Sequence, residues 1–228
     1  MFSTTVYKSA TEVNQAMGRV YGYMALATFI SMFVSYQVGM NHDLMQFFFT
    51  GVMKWVVIFA PLVAVFFISA FISSNPPKPL AIGALAGFSA LMGLSLATIF
   101  VIFTLGSIFN AFMGAAVLFG VMSFYGYFTK KDLSGMGQML FIALIAIVIA
   151  SIINIFIGST VFQMVISAIA IIVFLGLTAY DTQRIREMVT EGEENTSVEV
   201  LGALTLYLNF INLFVNLLQL FGVAKSDD

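Results

Sequence analysis

Seven apolar segments of membrane-spanning length run through this chain, and they constrain its fold more than any other feature. An α-helix needs about 20 mainly apolar residues to cross the roughly 30 Å hydrocarbon core of a bilayer. The sequence therefore predicts an all-α membrane protein, a bundle of seven transmembrane helices. The predicted spans are residues 20–38, 52–73, 80–104, 108–128, 139–157, 161–180 and 201–221.

The composition leaves no room for a soluble domain. Only 9% of the residues are charged, whereas a soluble domain carries about 25%. We predict one transmembrane domain, residues 20–222, between a cytoplasmic N-terminal segment, 1–19, and a C-terminal tail, 223–228. A net charge of −2 gives no basis for binding nucleic acid. The chain has no cysteine, which excludes disulfides and thiol chemistry.

Positive charge predicts the orientation of the bundle, because cytoplasmic loops of membrane proteins are enriched in Lys and Arg. With the N-terminus in the cytoplasm, seven of the nine basic residues fall on the cytoplasmic side and only Lys54 and Lys225 on the other. The last span either crosses the membrane or is re-entrant, and the charges do not choose between these. The seven basic residues assigned to the cytoplasmic side are Lys8, Arg19, Lys78, Lys130, Lys131, Arg184 and Arg186.

A polar stripe runs along the last span at spacings of 4, 3, 4 and 3, which places its members on one helix face. Lipid offers no hydrogen-bond partners, so this face should point to the bundle interior or to a wet cavity. Two interpretations remain open: hydrogen bonding between helices, or one wall of a solvated pathway. The members are Thr205, Asn209, Asn212, Asn216 and Gln219.

Asp181 is the only acid that borders a segment of membrane length, and such groups are functional-site candidates by default. No Gly or Pro occurs from 177 to 191, so the sixth helix should continue past Asp181. Its structural interpretation is an interfacial carboxylate paired with Arg184 at i+3, with Arg186 as a second candidate partner. Its functional interpretation is an inward-facing group opposite the polar stripe.

Small residues predict where helices approach closely. Gly83 and Gly87 form a GxxxG pair in the third span, with Gly93 nearby. In the fourth span, Gly114 and Gly126 are the predicted positions of close approach. Isolated amides are interpreted as packing hydrogen bonds; the one in the fifth span is Asn154.

The residues argue against an enzyme. His42 is the only histidine and is predicted to lie in a loop, which disfavours zinc hydrolases and Ser-His proteases. Tyr180-Asp181 is similar to a motif of intramembrane aspartyl proteases, whose chemistry requires two carboxylates. No other span contains an acid, and no GxGD occurs. We expect no catalytic residue and no cofactor.

Several stretches together resemble the Bax inhibitor-1 (transmembrane BAX inhibitor motif) family, in its bacterial inner-membrane branch. They are spread over nearly the whole length, and the pair at the end is the most specific. They are VYGYMALATFISMFVSY, GLSLATIFVIFTLGSI, FGVMSFYGYFTKKDLSGMGQML, and GLTAYDTQRIRE with LGALTLYLNFINLF.

The resemblance implies a seven-helix bundle with the last helix central, in the bacterial inner membrane. It also implies a pH-sensitive leak of cations, chiefly Ca²⁺, controlled by two aspartates on the last two helices. The first matches Asp181, but Asn209 stands at the second. Two neighbouring carboxylates share a proton and repel each other when both ionise. With the single carboxylate of Asp181, we expect weaker gating that follows one titration step.

On this hypothesis Asp181 and Asn209 form the gate, and Thr205, Asn212 and Asn216 line the ion pathway. Ca²⁺ takes oxygen ligands, so Asp181 with amide carbonyls would bind it weakly. The partners are then the lipid bilayer and Ca²⁺ or other cations. The alternative, also implied by the family, is a non-transporting interaction protein that modulates membrane proteases, other membrane proteins or stress survival.

Overall fold

The computed structural model describes residues 8–191 and 196–225, which are mostly helical. Seven stretches are long and apolar enough to cross a membrane, with α4 and α5 together forming one of them, Lys78–Ile102. The predicted all-α fold with seven spans is confirmed. The helices are α1 (Ala10–Gly39), α2 (His42–Phe49), α3 (Met53–Ser73), α4 (Lys78–Leu96), α5 (Ile99–Ile102), α6 (Leu105–Phe128), α7 (Ser134–Ile157), α8 (Thr160–Thr190) and α9 (Thr196–Phe221).

Helix α1 begins ten residues before the predicted first span, inside the predicted N-terminal segment. A capping box explains the early start. Ser9 Oγ accepts from the backbone N–H of Glu12 (3.4 Å), and Glu12 Oε2 accepts from the backbone N–H of Ser9 (2.8 Å). Residues 1–7 of that segment, and 226–228 of the predicted tail, lie outside the described residues.

Two further boundaries differ from the prediction. The connection around His42 contains the short helix α2, which Asn41 caps by accepting from the backbone N–H of Leu44 (3.1 Å). The third predicted span, 80–104, is interrupted after Leu96, where α4 ends and a turn leads into α5. In contrast, α8 continues to Thr190, so the predicted extension past Asp181 is confirmed.

The described chain forms two compact units. The first holds the described residues of Met1–Thr104, Ile185–Tyr207 and Ala224–Asp228, and the second holds Leu105–Arg184 and Leu208–Val223. Helix α9 contributes its first half to one unit and its second half to the other. In its most apolar stretch 67% of the residues are buried, against at most 33% in any other span. The last helix is therefore central, as predicted.

Within the first unit, the start of α9 and the residues 224–225 that follow it make contacts near opposite ends of α1. Near its start, Glu199 pairs with Arg19 in the early turns of α1. Beyond its finish, Lys225 donates to the backbone oxygens of Phe100 (2.7 Å) and Ile102 (3.0 Å), and Phe100 packs on Tyr36 near the end of α1. This arrangement favours a crossing last helix over a re-entrant one.

Close helix contacts occur at two of the predicted glycines, Gly93 and Gly126, but not at the GxxxG pair. A Cβ on Gly93 would come within 2.5 Å of the Ser31 carbonyl oxygen in the first unit, and one on Gly126 would collide with the Ala179 backbone in the second. Gly83 and Gly87 are exposed, with nothing within 4 Å of a Cβ. The GxxxG prediction was therefore wrong, because spacing does not reveal which face meets a neighbour.

Candidate functional site

The second unit joins Asp181 of α8 to Asn209 of α9. The amide Nδ2 of Asn209 donates to Asp181 Oδ2 at 2.6 Å. Asn209 is buried and Asp181 is half-buried. The amide N–H donates and the carboxyl oxygen accepts, so this bond links α8 and α9 whether or not Asp181 is ionised. The structure thus brings together the two residues at which the family resemblance implies a gate.

The two residues after Asp181 fix the rotation of α8. Thr182 exchanges a hydrogen bond with Ser123 of α6 (3.0 Å). Gln183 accepts from the backbone N–H of Leu133 (2.9 Å) and donates to the backbone oxygen of Lys131 (2.8 Å), both in the α6–α7 connection. Successive residues of a helix point about 100° apart, so three consecutive side chains reach three neighbouring elements.

The α6–α7 connection is also held from within. The backbone N–H of Ser134 donates to Asp132 Oδ1 at 2.8 Å. The Ser134 hydroxyl and this N–H hold the pKa of the Asp132 carboxyl below its usual value. The connection therefore presents fixed backbone atoms to Gln183.

Two glycines let α6 and α7 approach the same turn of α8. Gly126 lies against the Ala179 backbone, and Gly137 lies under the ring of Tyr180. The sequence predicted a close approach at Gly126 but missed Gly137, which stands among polar residues at the start of α7. Each residue of the AYDTQ stretch, 179–183, thus meets a separate neighbour.

The next members of the stripe donate to the backbone of their own helix and not to α8. Asn212 Nδ2 donates to the Leu208 backbone oxygen and Asn216 Nδ2 to the Asn212 backbone oxygen, both at 2.8 Å. A carbonyl only accepts, so these bonds fix the orientation of each amide. Both side chains are half-buried, and within the described residues their Oδ1 atoms receive no hydrogen bond.

The other predicted residues make no hydrogen bond to Asp181 or Asn209 among the described residues. Thr205 is half-buried in the first unit's part of α9, one turn before Asn209. Arg184 is exposed and Arg186 half-buried. Among the described residues no ion pair joins Asp181 to either arginine, so the i+3 pairing with Arg184 is not observed.

A second polar cluster in this unit links α7, α8 and α9 through Asn154, Gln163, Ser167 and Gln219. Asn154 makes a packing hydrogen bond, as predicted. Gln163 was missed, although it stands four residues before Ser167 in the sixth span. Gln163 and Ser167 lie on the same helix face as Asp181, and this spacing is the sequence signal that would have identified Gln163.

The comparisons with known proteins agree with this architecture. Residues 13–227 match the family model described as inhibitor of apoptosis-promoting Bax1. The chain belongs to the Bax inhibitor-1 family. It is 40% identical over 229 residues to inner membrane protein YbhL of Escherichia coli K12, covering 96% of both chains. It is 36% identical over 220 residues to a membrane protein of Streptococcus pyogenes serotype M1, covering 94% of this chain and 95% of that one.

Membership of the Bax inhibitor-1 family makes the chain an integral membrane protein, and one relative bears the name of an inner membrane protein. A protein of Deinococcus radiodurans is 34% identical over 220 residues, covering 95% of this chain and 94% of that one. These relatives match nearly end to end, so the whole bundle is the shared unit.

The site of this Bax inhibitor-1 protein is poor in charged ligands. Within the described residues there is no group of three or more His, Cys, Asp or Glu that would hold a metal ion. Asp181 supplies a single carboxylate, and Asn212 and Asn216 supply amide oxygens on the adjoining helix face.

Proposed function

We propose that this Bax inhibitor-1 family member is a low-affinity cation leak in the bacterial inner membrane, with Ca²⁺ as its chief ion and its N-terminus in the cytoplasm. The observation that carries the proposal is the hydrogen bond between Asp181 and the buried Asn209. A carboxylate held inside a membrane-spanning bundle is costly and marks ion or proton pathways in membrane proteins.

The amide oxygens beside this bond support a pathway. From Asn209 to Asn216 is seven residues, or about 10 Å along the helix axis. Over this distance Asn212 and Asn216 direct their amide nitrogens to the α9 backbone and keep Oδ1 as an unused acceptor. Oxygen atoms without a donor are the ligands that a partly dehydrated hard cation takes.

The Asp181–Asn209 bond also supports weak pH gating. An ionised Asp181 still accepts from the Asn209 amide, so losing the proton does not push the two helices apart. A second carboxylate at 209 would repel an ionised Asp181. We therefore expect this protein to leak with a shallow, single-step dependence on pH.

A second candidate function is suggested by the exposed glycines of α4. Gly83 and Gly87 leave a strip of helix backbone uncovered, and small residues at this spacing accept a partner helix at close range. This favours an interaction protein that binds membrane proteases or other membrane proteins without transporting ions.

Ca²⁺ flux into dye-loaded proteoliposomes at pH 6 and pH 8 tests the leak. We expect flux above empty liposomes that falls about tenfold or more in Asp181→Ala. The substitution removes the carboxylate that contacts the ion, and an interaction with a charged group contributes about 1.5–3 kcal/mol, which we expect to outweigh release of the bond to Asn209. Asp43→Ala is the matched control, since Asp43 is exposed on α2, and it should conduct normally. No flux from the wild-type protein would overturn the leak and favour the interaction protein.

A further inference from the structure

Four uncharged side chains form a hydrogen-bonded cluster about 21 Å along α8 from Asp181, since Ser167 precedes Asp181 by fourteen positions and each adds about 1.5 Å. Gln219 Oε1 accepts from Gln163 Nε2 (2.8 Å) and from the Ser167 hydroxyl (3.0 Å). Gln163 Oε1 accepts in turn from Asn154 Nδ2 (3.0 Å). We call Asn154, Gln163, Ser167 and Gln219 the amide clasp.

Every amide oxygen of the amide clasp is occupied. The Oδ1 of Asn154 accepts from the backbone N–H of Ser159 at 3.2 Å, which completes the chain of bonds. Asn154 and Ser167 are buried and Gln163 is half-buried. The clasp is thus internally satisfied, unlike the asparagines at 212 and 216, and it fastens three helices together.

Along α9, the amide oxygens of Asn212 and Asn216, which receive no hydrogen bond from the described residues, lie between the Asp181–Asn209 bond and the amide clasp. On α9 the order is Asn209, Asn212, Asn216 and Gln219, so the residues with free oxygens stand between a residue bonded to Asp181 and one bonded to the clasp. An ion in contact with the middle pair would meet a fastened helix pair in either direction.

We infer that the amide clasp is a second closure of the cation path, in series with Asp181–Asn209 and independent of pH. The inference rests on the proposed leak. From Ser134 to Tyr180, and from Val200 to Ala224, the chain contains no Asp, Glu, Lys, Arg or His. The stretches of α7, α8 and α9 that hold the clasp therefore bring no such group to it.

Loss of the clasp should raise the leak. Interhelical hydrogen bonds in membranes each correspond to a roughly three- to twentyfold change in an equilibrium constant. Gln163→Leu removes the bonds to Asn154, Ser167 and Gln219, and Ser167→Ala removes a smaller part. We expect Ca²⁺ flux to rise severalfold in Gln163→Leu, by the same factor at pH 6 and pH 8, and less in Ser167→Ala.

The control is Gln138→Leu, the same substitution at an exposed position of α7 outside the clasp, and its flux should match the wild type. A second measurement uses the absence of cysteine from the chain. A Ser167→Cys/Gln219→Cys protein, bridged by a short bifunctional thiol reagent, should lose flux and regain it when a reducible bridge is cut.

The outcomes separate the two proposals. Asp181-dependent flux that neither Gln163→Leu nor the bridge alters would overturn the clasp and leave the leak standing. Flux that rises in Gln163→Leu by the same factor at both pH values, and that the bridge stops, would support the clasp. Silence of both the wild-type protein and Gln163→Leu would overturn the leak and the clasp together.

Discussion

At the scale of single residues, Asn209 determines how this protein should respond to pH. Its amide donates a hydrogen bond to Asp181. Because an amide does not ionise, Asp181 is the one ionisable group of this contact. We predict that Asn209→Asp gives a steeper profile. Two adjacent carboxylates share a proton at low pH and repel once both ionise, so flux should rise sharply as the pH increases.

Ca²⁺ flux measured at intervals between pH 5 and pH 9 checks this prediction. Asn212→Asp is the matched control, because the amide of Asn212 bonds to its own helix and not to Asp181. It should add charge to the stripe without the steep rise. Superimposable profiles for the wild-type and Asn209→Asp proteins would remove the argument for a two-carboxylate latch.

The residue scale also shows how far sequence reasoning reaches. Asp181 and the stripe stood out because a polar group in a membrane span needs a partner, and the structure places Asn209 opposite Asp181. Gln163 and Gly137 did not stand out, because each lies near the end of a predicted span. Polar or small residues at such positions are ordinary, and only the neighbouring helix reveals their contacts.

At the scale of helices, apolar length predicts the spans, whereas the contacts between them depend on which face each helix presents. Gly126 lies against the Ala179 backbone, but Gly83 faces open space. We predict opposite effects of the same substitution. Gly126→Ala should destabilise the protein by about 1–3 kcal/mol of overpacking, only partly offset by the roughly 1 kcal/mol that alanine gains in helix propensity.

Gly83→Ala is the comparison, and it should leave the thermal midpoint unchanged or raise it. Thermal unfolding of the purified proteins in detergent, at matched protein and detergent concentrations, measures both. A midpoint for Gly126→Ala at or above that of the wild type would show that α6 and α8 do not meet at this glycine.

At the scale of the whole molecule, seven helical stretches among the described residues are long and apolar enough to cross a membrane. Length and hydropathy were sufficient to predict the number of spans, since a bilayer imposes a minimum length on each. They were not sufficient to decide whether the last helix crosses. A crossing last helix is favoured by the contacts Arg19–Glu199 and Lys225–Phe100 of the first unit, which sequence patterns do not reveal.

The resulting topology is testable because the chain has no cysteine. We predict that the single-cysteine variants Lys54→Cys and Lys225→Cys react with a membrane-impermeant maleimide in intact spheroplasts. The variants Lys78→Cys and Lys131→Cys should react only after the inner membrane is permeabilised. The physical reason is the excess of positive charge retained on the cytoplasmic side. Labelling of position 225 together with 78 and 131 would mean that α9 fails to cross, and reversal of all four would invert the orientation.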